Sequence, residues 1–167
     1  VLSMFVYVGD ASNLTLDPEL DSYYLMDIVI NKAPHLTENM GQSRAKGIAV
    51  ASKGSITEDE KMDLVSLSSL IRFSNDGLTS GIQSAFRTND KLKASLDGIV
   101  QSGISSTNKF LDMLNGRIIR AAKIDIGPQE YLAAATDAID ANFKVYDKVA
   151  VELKDLLKAR IDKLSQT

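Results

Sequence analysis

The chain carries one histidine, His35, and no cysteine in its 167 residues. A Cys-His dyad, a thiolate metal site and a typical zinc site are therefore out of reach. His35 and Glu38 have the i, i+3 spacing that supplies half of a carboxylate-bridged di-iron centre, but such a centre needs the pair twice and it occurs once. His35 reads instead as a surface or cap-adjacent residue beside Pro34. The acidic run Glu58-Asp59-Glu60 suits a helix start, not a calcium loop, which alternates oxygen ligands over about twelve residues. Gly41, Gly47, Gly77, Gly81, Gly98 and Gly103 all fall inside helical patterns, so no glycine-rich turn is available to cradle a phosphate. No catalysis, metal or cofactor is expected.

What remains is non-covalent binding, which helical proteins usually place between helices. Tyr23 and Tyr24 project about 100° apart on a helix, with Asp27 one turn on, so hydroxyls and a carboxylate gather near a helix start. Two readings are open for them: they hold a small polar molecule, or they bond to the loop 10–16 and to the start of the last helix. Arg44, Lys46, Arg72 and Arg87 are the basic residues of the middle helices, and an arginine can clamp an oxyanion with two parallel hydrogen bonds or make a solvated ion pair. Ser66, Ser69, Ser74, Asn75, Thr79 and Ser80 add polar atoms along the same helix as Arg72. The candidate ligand-binding set is Tyr23, Tyr24, Asp27, Arg44, Arg72 and Asn75.

These residues must be positioned by helices. Asp17 and Pro18 form a helix start, preceded by a loop over 10–17 and by Gly9 as the stop of an apolar stretch over 1–8. The helix from Pro18 continues to Lys53 and Gly54, with a kink expected near Asn31–Pro34 because Pro34 removes a backbone donor. Its second half is thin (Gly41, Ala45, Gly47, Ala49, Ala51), which admits either close packing or a hollow. Thr57 and Glu60 make a capping box for a third helix with the stripe Leu64, Leu67, Ile71, Leu78 and Ile82, running to about Phe86. Thr88-Asn89-Asp90 breaks or recaps the chain before a fourth helix carrying Leu92, Leu96, Ile99, Phe110, Leu114 and Ile118. Residues 124–127 form a connector. From Pro128 the last helix shows a near-heptad seam: Leu132, Thr136, Ile139, Phe143, Tyr146, Ala150, Leu153, Leu157, Ile161 and Leu164.

Helices of this length, each with one apolar stripe and joined by short turns, bury those stripes together as an all-α, elongated antiparallel bundle: four long helices plus the tail of a truncated first helix, in one domain over 1–167. The net charge of −3 and the mixed placement of Lys, Arg, Asp and Glu provide no basic face for nucleic acid. No stretch approaches the roughly 20 apolar residues of a membrane span.

Two runs carry a resemblance. Asp10-Ala11-Ser12-Asn13-Leu14-Thr15-Leu16-Asp17-Pro18-Glu19-Leu20-Asp21-Ser22-Tyr23-Tyr24-Leu25-Met26-Asp27 resembles the all-helical periplasmic input domains of bacterial methyl-accepting chemotaxis proteins, found also on sensor histidine kinases and diguanylate cyclases. Ile124-Asp125-Ile126-Gly127-Pro128-Gln129-Glu130-Tyr131-Leu132, with Ala135–Asp140 and Phe143–Asp147, looks like the start of the last helix of the same domains. The resemblance implies a periplasmic part of an inner-membrane protein, with membrane-spanning segments on both flanks and a homodimer in the full-length receptor. The implied partner is a small molecule or a periplasmic binding protein. A chemotaxis transducer is placed ahead of a histidine kinase or diguanylate cyclase, and a structural or protein-interaction bundle without a small ligand is the reading from a different class.

Overall fold

The computed structural model describes residues 20–166. The expectations for Gly9, the loop 10–17, the cap Asp17-Pro18 and a helix tail over 1–8 lie outside the described residues.

The first described helix, α1, begins at Leu20 and ends at Lys53 in three consecutive parts: α-helical Leu20–Asp27, π-helical Ile28–Lys32 and α-helical Ala33–Lys53. Pro34 explains the middle part. Its nitrogen cannot donate to the carbonyl of Ile30, and its ring crowds that carbonyl. The hydrogen-bonded loop lengthens by one residue just before it, so that Ala33 N–H reaches back five residues to Ile28 C=O. Where a kink is expected near Asn31–Pro34, the helix has a π-helical stretch over Ile28–Lys32. Gly54 ends the helix at φ 71°, its N–H bonding Val50 C=O, a left-handed turn that a side chain would strain.

Helix α2 spans Glu58–Thr88 and starts with the expected capping box. Glu60 N–H donates to Thr57 Oγ1 at 3.1 Å, and Thr57 N–H donates to Glu60 Oε1 at 3.0 Å. Lys53 adds an ion pair to the same carboxylate at 2.7 Å. The Lys53 bond and the Thr57 bonds together hold the Glu60 carboxyl down to about 2. Helix α3 spans Asp90–Leu114 and continues as π-helical Asn115–Ile119. Asn89 caps it by accepting from Lys91 N–H at 3.1 Å and donates to Asp21 at 3.0 Å, tying this turn to the start of α1. After the connector, Pro128 opens α4, Pro128–Ser165, whose 38 residues make a rod about 57 Å long.

The described residues form an all-α bundle of these four helices, without a strand. Each helix packs on its sequence neighbour and α4 closes the ring against α1. The cross-helix contacts establish the antiparallel sense. Between α1 and α2, Lys46 meets Asp63 and Lys53 meets Glu60. Between α3 and α4, Ser95 donates to Glu152 and Arg117 to Glu130. Between α4 and α1, Tyr131 meets Ser43 and Asn142 meets Met40. No helix among the described residues is long and apolar enough to cross a membrane.

Two close approaches lock the core. Tyr131 is fully buried, its ring lying where a side chain on Gly47 would be: an added Cβ there falls 2.1 Å from Tyr131 Cζ. Its hydroxyl donates to Ser43 C=O at 2.7 Å and its ring tilts against Phe110 at 6.0 Å. Gly103 is the second, with Val145 2.6 Å from an added Cβ. Asn142 joins that level by donating to Thr107 Oγ1 and to Ala138 C=O, each at 2.8 Å. The thin half of α1 therefore packs tightly at Gly47, while at Gly41 an added Cβ meets nothing within 4 Å.

The stripe expected on α2 is buried throughout, as are Leu92, Leu96, Phe110, Leu114 and Ile118 of the next helix. The expected seam of α4 is in part displaced. Ile139, Leu153 and Leu157 are buried, but Leu132, Phe143, Ile161 and Leu164 are exposed, and the core takes Tyr131, Ala135, Ala138, Asn142, Val145 and Val149 instead. The helix carries two adjacent stripes, and the one whose Tyr131 and Val145 meet Gly47 and Gly103 on the facing helices faces inward.

Gly47→Ala should lower stability by about 3 kcal/mol in a urea titration, because the ring it strikes has no room to retreat. Gly98→Ala, whose Cβ meets nothing within 4 Å, should raise stability by about 0.5–1 kcal/mol through helix propensity alone. The Glu60 carboxyl has a depressed pKa, so its contribution is present above the ordinary value of 4.5 and is lost as pH falls toward about 2. Glu60→Gln should flatten that part of the acid limb in a Tm-against-pH series.

Candidate functional site

Two helix faces meet in a lateral cleft between α3 and α4. Ser106, Lys109, Phe110, Met113 and Arg117 recur at spacings of three and four on α3 and therefore share one face, as do Glu130, Ala134, Asp137 and Ala138 on α4. Antiparallel packing sets Arg117 against Glu130 at one end of the cleft and Lys109 against Asp137 further along. The open cleft holds about 500 Å³, within the usual range for small-molecule sites. Phe110 and Ala138 are buried at its floor, Met113 and Ala134 are half-buried, and the charged groups stand at the rim.

One end of the cleft is closed electrostatically. Arg117 donates from Nη1 to Glu130 Oε1 at 2.6 Å and reaches Asp125 at 3.5 Å through Nη2. These carboxylates, Glu130 foremost, raise its already high pKa, so the guanidinium stays charged. The other pair behaves differently. Lys109 and Asp137 line the same cavity from opposite helices, yet they stand more than 4.0 Å apart, and neither makes an ion pair or hydrogen bond with another described residue.

The six residues expected at a binding site lie in three places. Tyr23 is exposed and meets half-buried Tyr24 edge-on at 5.5 Å. Asp27 accepts from Asn31 Nδ2 at 3.3 Å and pairs with Lys32 at 3.8 Å. Tyr23, Met26, Asp27, Ile30 and Asn31 outline a shallow hollow of about 290 Å³. Arg44 lies about 31 Å further along the helix and spends its Nη1 on Thr136 Oγ1 at 3.1 Å, across the α1–α4 seam. Arg72 is exposed, whereas Asn75 is buried between α2 and α3, donating to Asn108 Oδ1 at 3.4 Å, and its own buried Oδ1 has no partner among the described residues. The alternative role for Tyr23, Tyr24 and Asp27 is also constrained. The start of α4 meets Ser43, Arg44 and Gly47, so it lies at the opposite end of α1 from these three; the loop 10–16 lies outside the described residues.

The charged residues of the α3–α4 cleft were not singled out from the sequence. Lys109 with Arg117 and Glu130 with Asp137 are spaced to share a face on each helix, but pairing them needs the antiparallel register. A further apolar notch of about 310 Å³ lies between α1 and α4, lined by Pro34, Thr37, Phe143 and Tyr146. Among the described residues no group of three or more His, Asp or Glu is placed to hold a metal. No family model, curated protein or solved structure matches the chain.

The rim is not what holds the bundle together, since exposed ion pairs contribute at most about 1 kcal/mol. Lys109→Gln and Asp137→Asn should each leave stability within about 0.5 kcal/mol of the parent in denaturant titrations.

Proposed function

We propose that this chain is the extracytoplasmic sensor domain of a transmembrane chemoreceptor. In this reading it binds a small molecule or a binding protein between its helices and relays a helix displacement across the membrane. One observation carries it: the charged cleft opens on α4 near its first turns, and α4 then runs unbroken to Ser165. A stiff helix delivers a shift of an Å or two at its far end, where a flexible linker would absorb it. The likeness of residues 10–27 and 124–147 to periplasmic input domains supports the same reading, with membrane-spanning flanks and a homodimeric receptor. A ligand drives such a device only through a difference in affinity between two helix arrangements. A histidine kinase or diguanylate cyclase output is the variant of this reading ranked second.

A structural or protein-interaction bundle is the competing function, and a specific surface favours it. Met62, Val65, Leu70 and Phe73 on the outer face of α2 are 65%, 44%, 49% and 73% exposed, an apolar stripe of the kind that marks contact surfaces.

A thermal-shift screen against a metabolite library separates the two, because a molecule that binds only the native state raises Tm. The sensor reading expects at least one saturable stabiliser. Because the chain has no cysteine, spin labels at Ala45→Cys on α1 and Lys154→Cys on α4 report the helix movement, with a ligand-induced change of about 1–2 Å in their mean separation. An inert library, or binding with an unchanged separation, favours the interaction bundle.

A further inference from the structure

We infer that Met62, on the outer face of α2, is a redox-modification site, converted to the sulfoxide by hypochlorous acid while the fold stays intact. Such a site needs neither a ligand in the cleft nor a docked partner, and so stands apart from both functional readings above.

The chain offers an electrophilic oxidant few targets. It holds neither cysteine nor tryptophan, which leaves the thioether of methionine as its most readily oxidised side chain. The fold then sorts the methionines. Met26 and Met40 are 5% and 0% exposed in the core, and the Met40 sulfur also accepts from Asn142 Nδ2 at 3.7 Å. Met113 is half-buried in the α3–α4 cleft. Met62, in the second turn of α2, is 65% exposed. An oxidant reaches the sulfur of a core methionine only when the bundle opens, but it reaches Met62 with no movement of the chain. In net terms one hypochlorous acid transfers its oxygen to the sulfur: the sulfur is oxidised by two electrons, the chlorine is reduced to chloride, and one proton is released to water.

The position of Met62 gives the change a consequence. It heads the exposed stripe continued by Val65, Leu70 and Phe73, while Leu64, Leu67 and Ile71 of the same helix face the core. Oxidation turns a flexible apolar side chain into a polar one, so one end of this stripe becomes polar. The core keeps all of its contacts, because Met62 fills no part of it.

The test treats the 167-residue chain with limiting hypochlorous acid and follows each methionine by peptide mass spectrometry. Met4, which lies outside the described residues, is replaced by leucine in every protein used. Met62 should react at least about tenfold faster than Met26 and Met40, with Met113 between them. In denaturing urea the rates should converge, since the order is set by the fold. Protein oxidised at Met62 should keep its Tm within about 2 °C of the untreated chain and elute earlier from a hydrophobic-interaction column. Met62→Leu, which preserves the apolar face and the helix propensity, should lose that shift in elution. The inference is overturned if Met26 or Met40 reacts as fast as Met62 in the folded protein, if oxidation at Met62 unfolds the bundle, or if the elution shift is absent or persists in Met62→Leu.

Discussion

The bundle depends on the seat that Gly47 provides for Tyr131. A ring of that size enters the interior only where the facing helix has no side chain, and Gly47 supplies that gap on α1. Once seated, the ring fixes three elements together: α1 through the hydroxyl bond to Ser43, α3 through Phe110, and α4 through its own backbone. A buried hydroxyl without an acceptor would be costly, so the carbonyl of Ser43 makes the seat specific as well as tight. Burial also raises the pKa of the phenol, which keeps it a neutral donor well into the alkaline range.

The second close approach, at Gly103 and Val145, complements the first. There the Asn142 Nδ2 donates to the Thr107 hydroxyl and to the carbonyl of Ala138, and the Thr107 hydroxyl donates to the carbonyl of Gly103. The Asn142–Thr107 bond resists a sliding of α3 against α4, because a shift of one turn would break it and leave each side chain only the bond to its own helix. The register of the two helices is thus set by small residues and two short polar side chains. That register places Arg117 opposite Glu130 and Lys109 opposite Asp137. The cleft is a consequence of the same packing: Phe110 and Tyr131 fill the interior, while Ala134 and Ala138 leave the groove above them shallowly lined.

The outer surface has a different character on each helix. α2 presents Met62, Val65, Leu70 and Phe73 to solvent, and α4 leaves Leu132, Phe143, Ile161 and Leu164 exposed beside its buried stripe. The charges of the α3–α4 rim are mixed in sign. The mixed-charge cleft and the exposed apolar side chains thus both draw on α4.

The sequence by itself determined where the helices begin and end, because those signals are local. Thr57 and Glu60 cap α2, Gly54 takes the left-handed turn and Asn89 caps α3, each through bonds within four residues of itself, and Pro128 opens α4 at a position that needs no backbone donor. The inward faces of α2 and α3 were legible for a similar reason: each carries one dominant stripe. Tertiary structure decided the phase of α4, where periodicity favours Leu132 and Phe143 as readily as Tyr131 and Val145, and only the glycines on the facing helices distinguish them. It also decided the site. Spacing places Tyr23, Tyr24 and Asp27, or Lys109 and Arg117, on a shared helix face, but which charges confront one another depends on the register between helices, a non-local property that packing at Gly47 and Gly103 supplies.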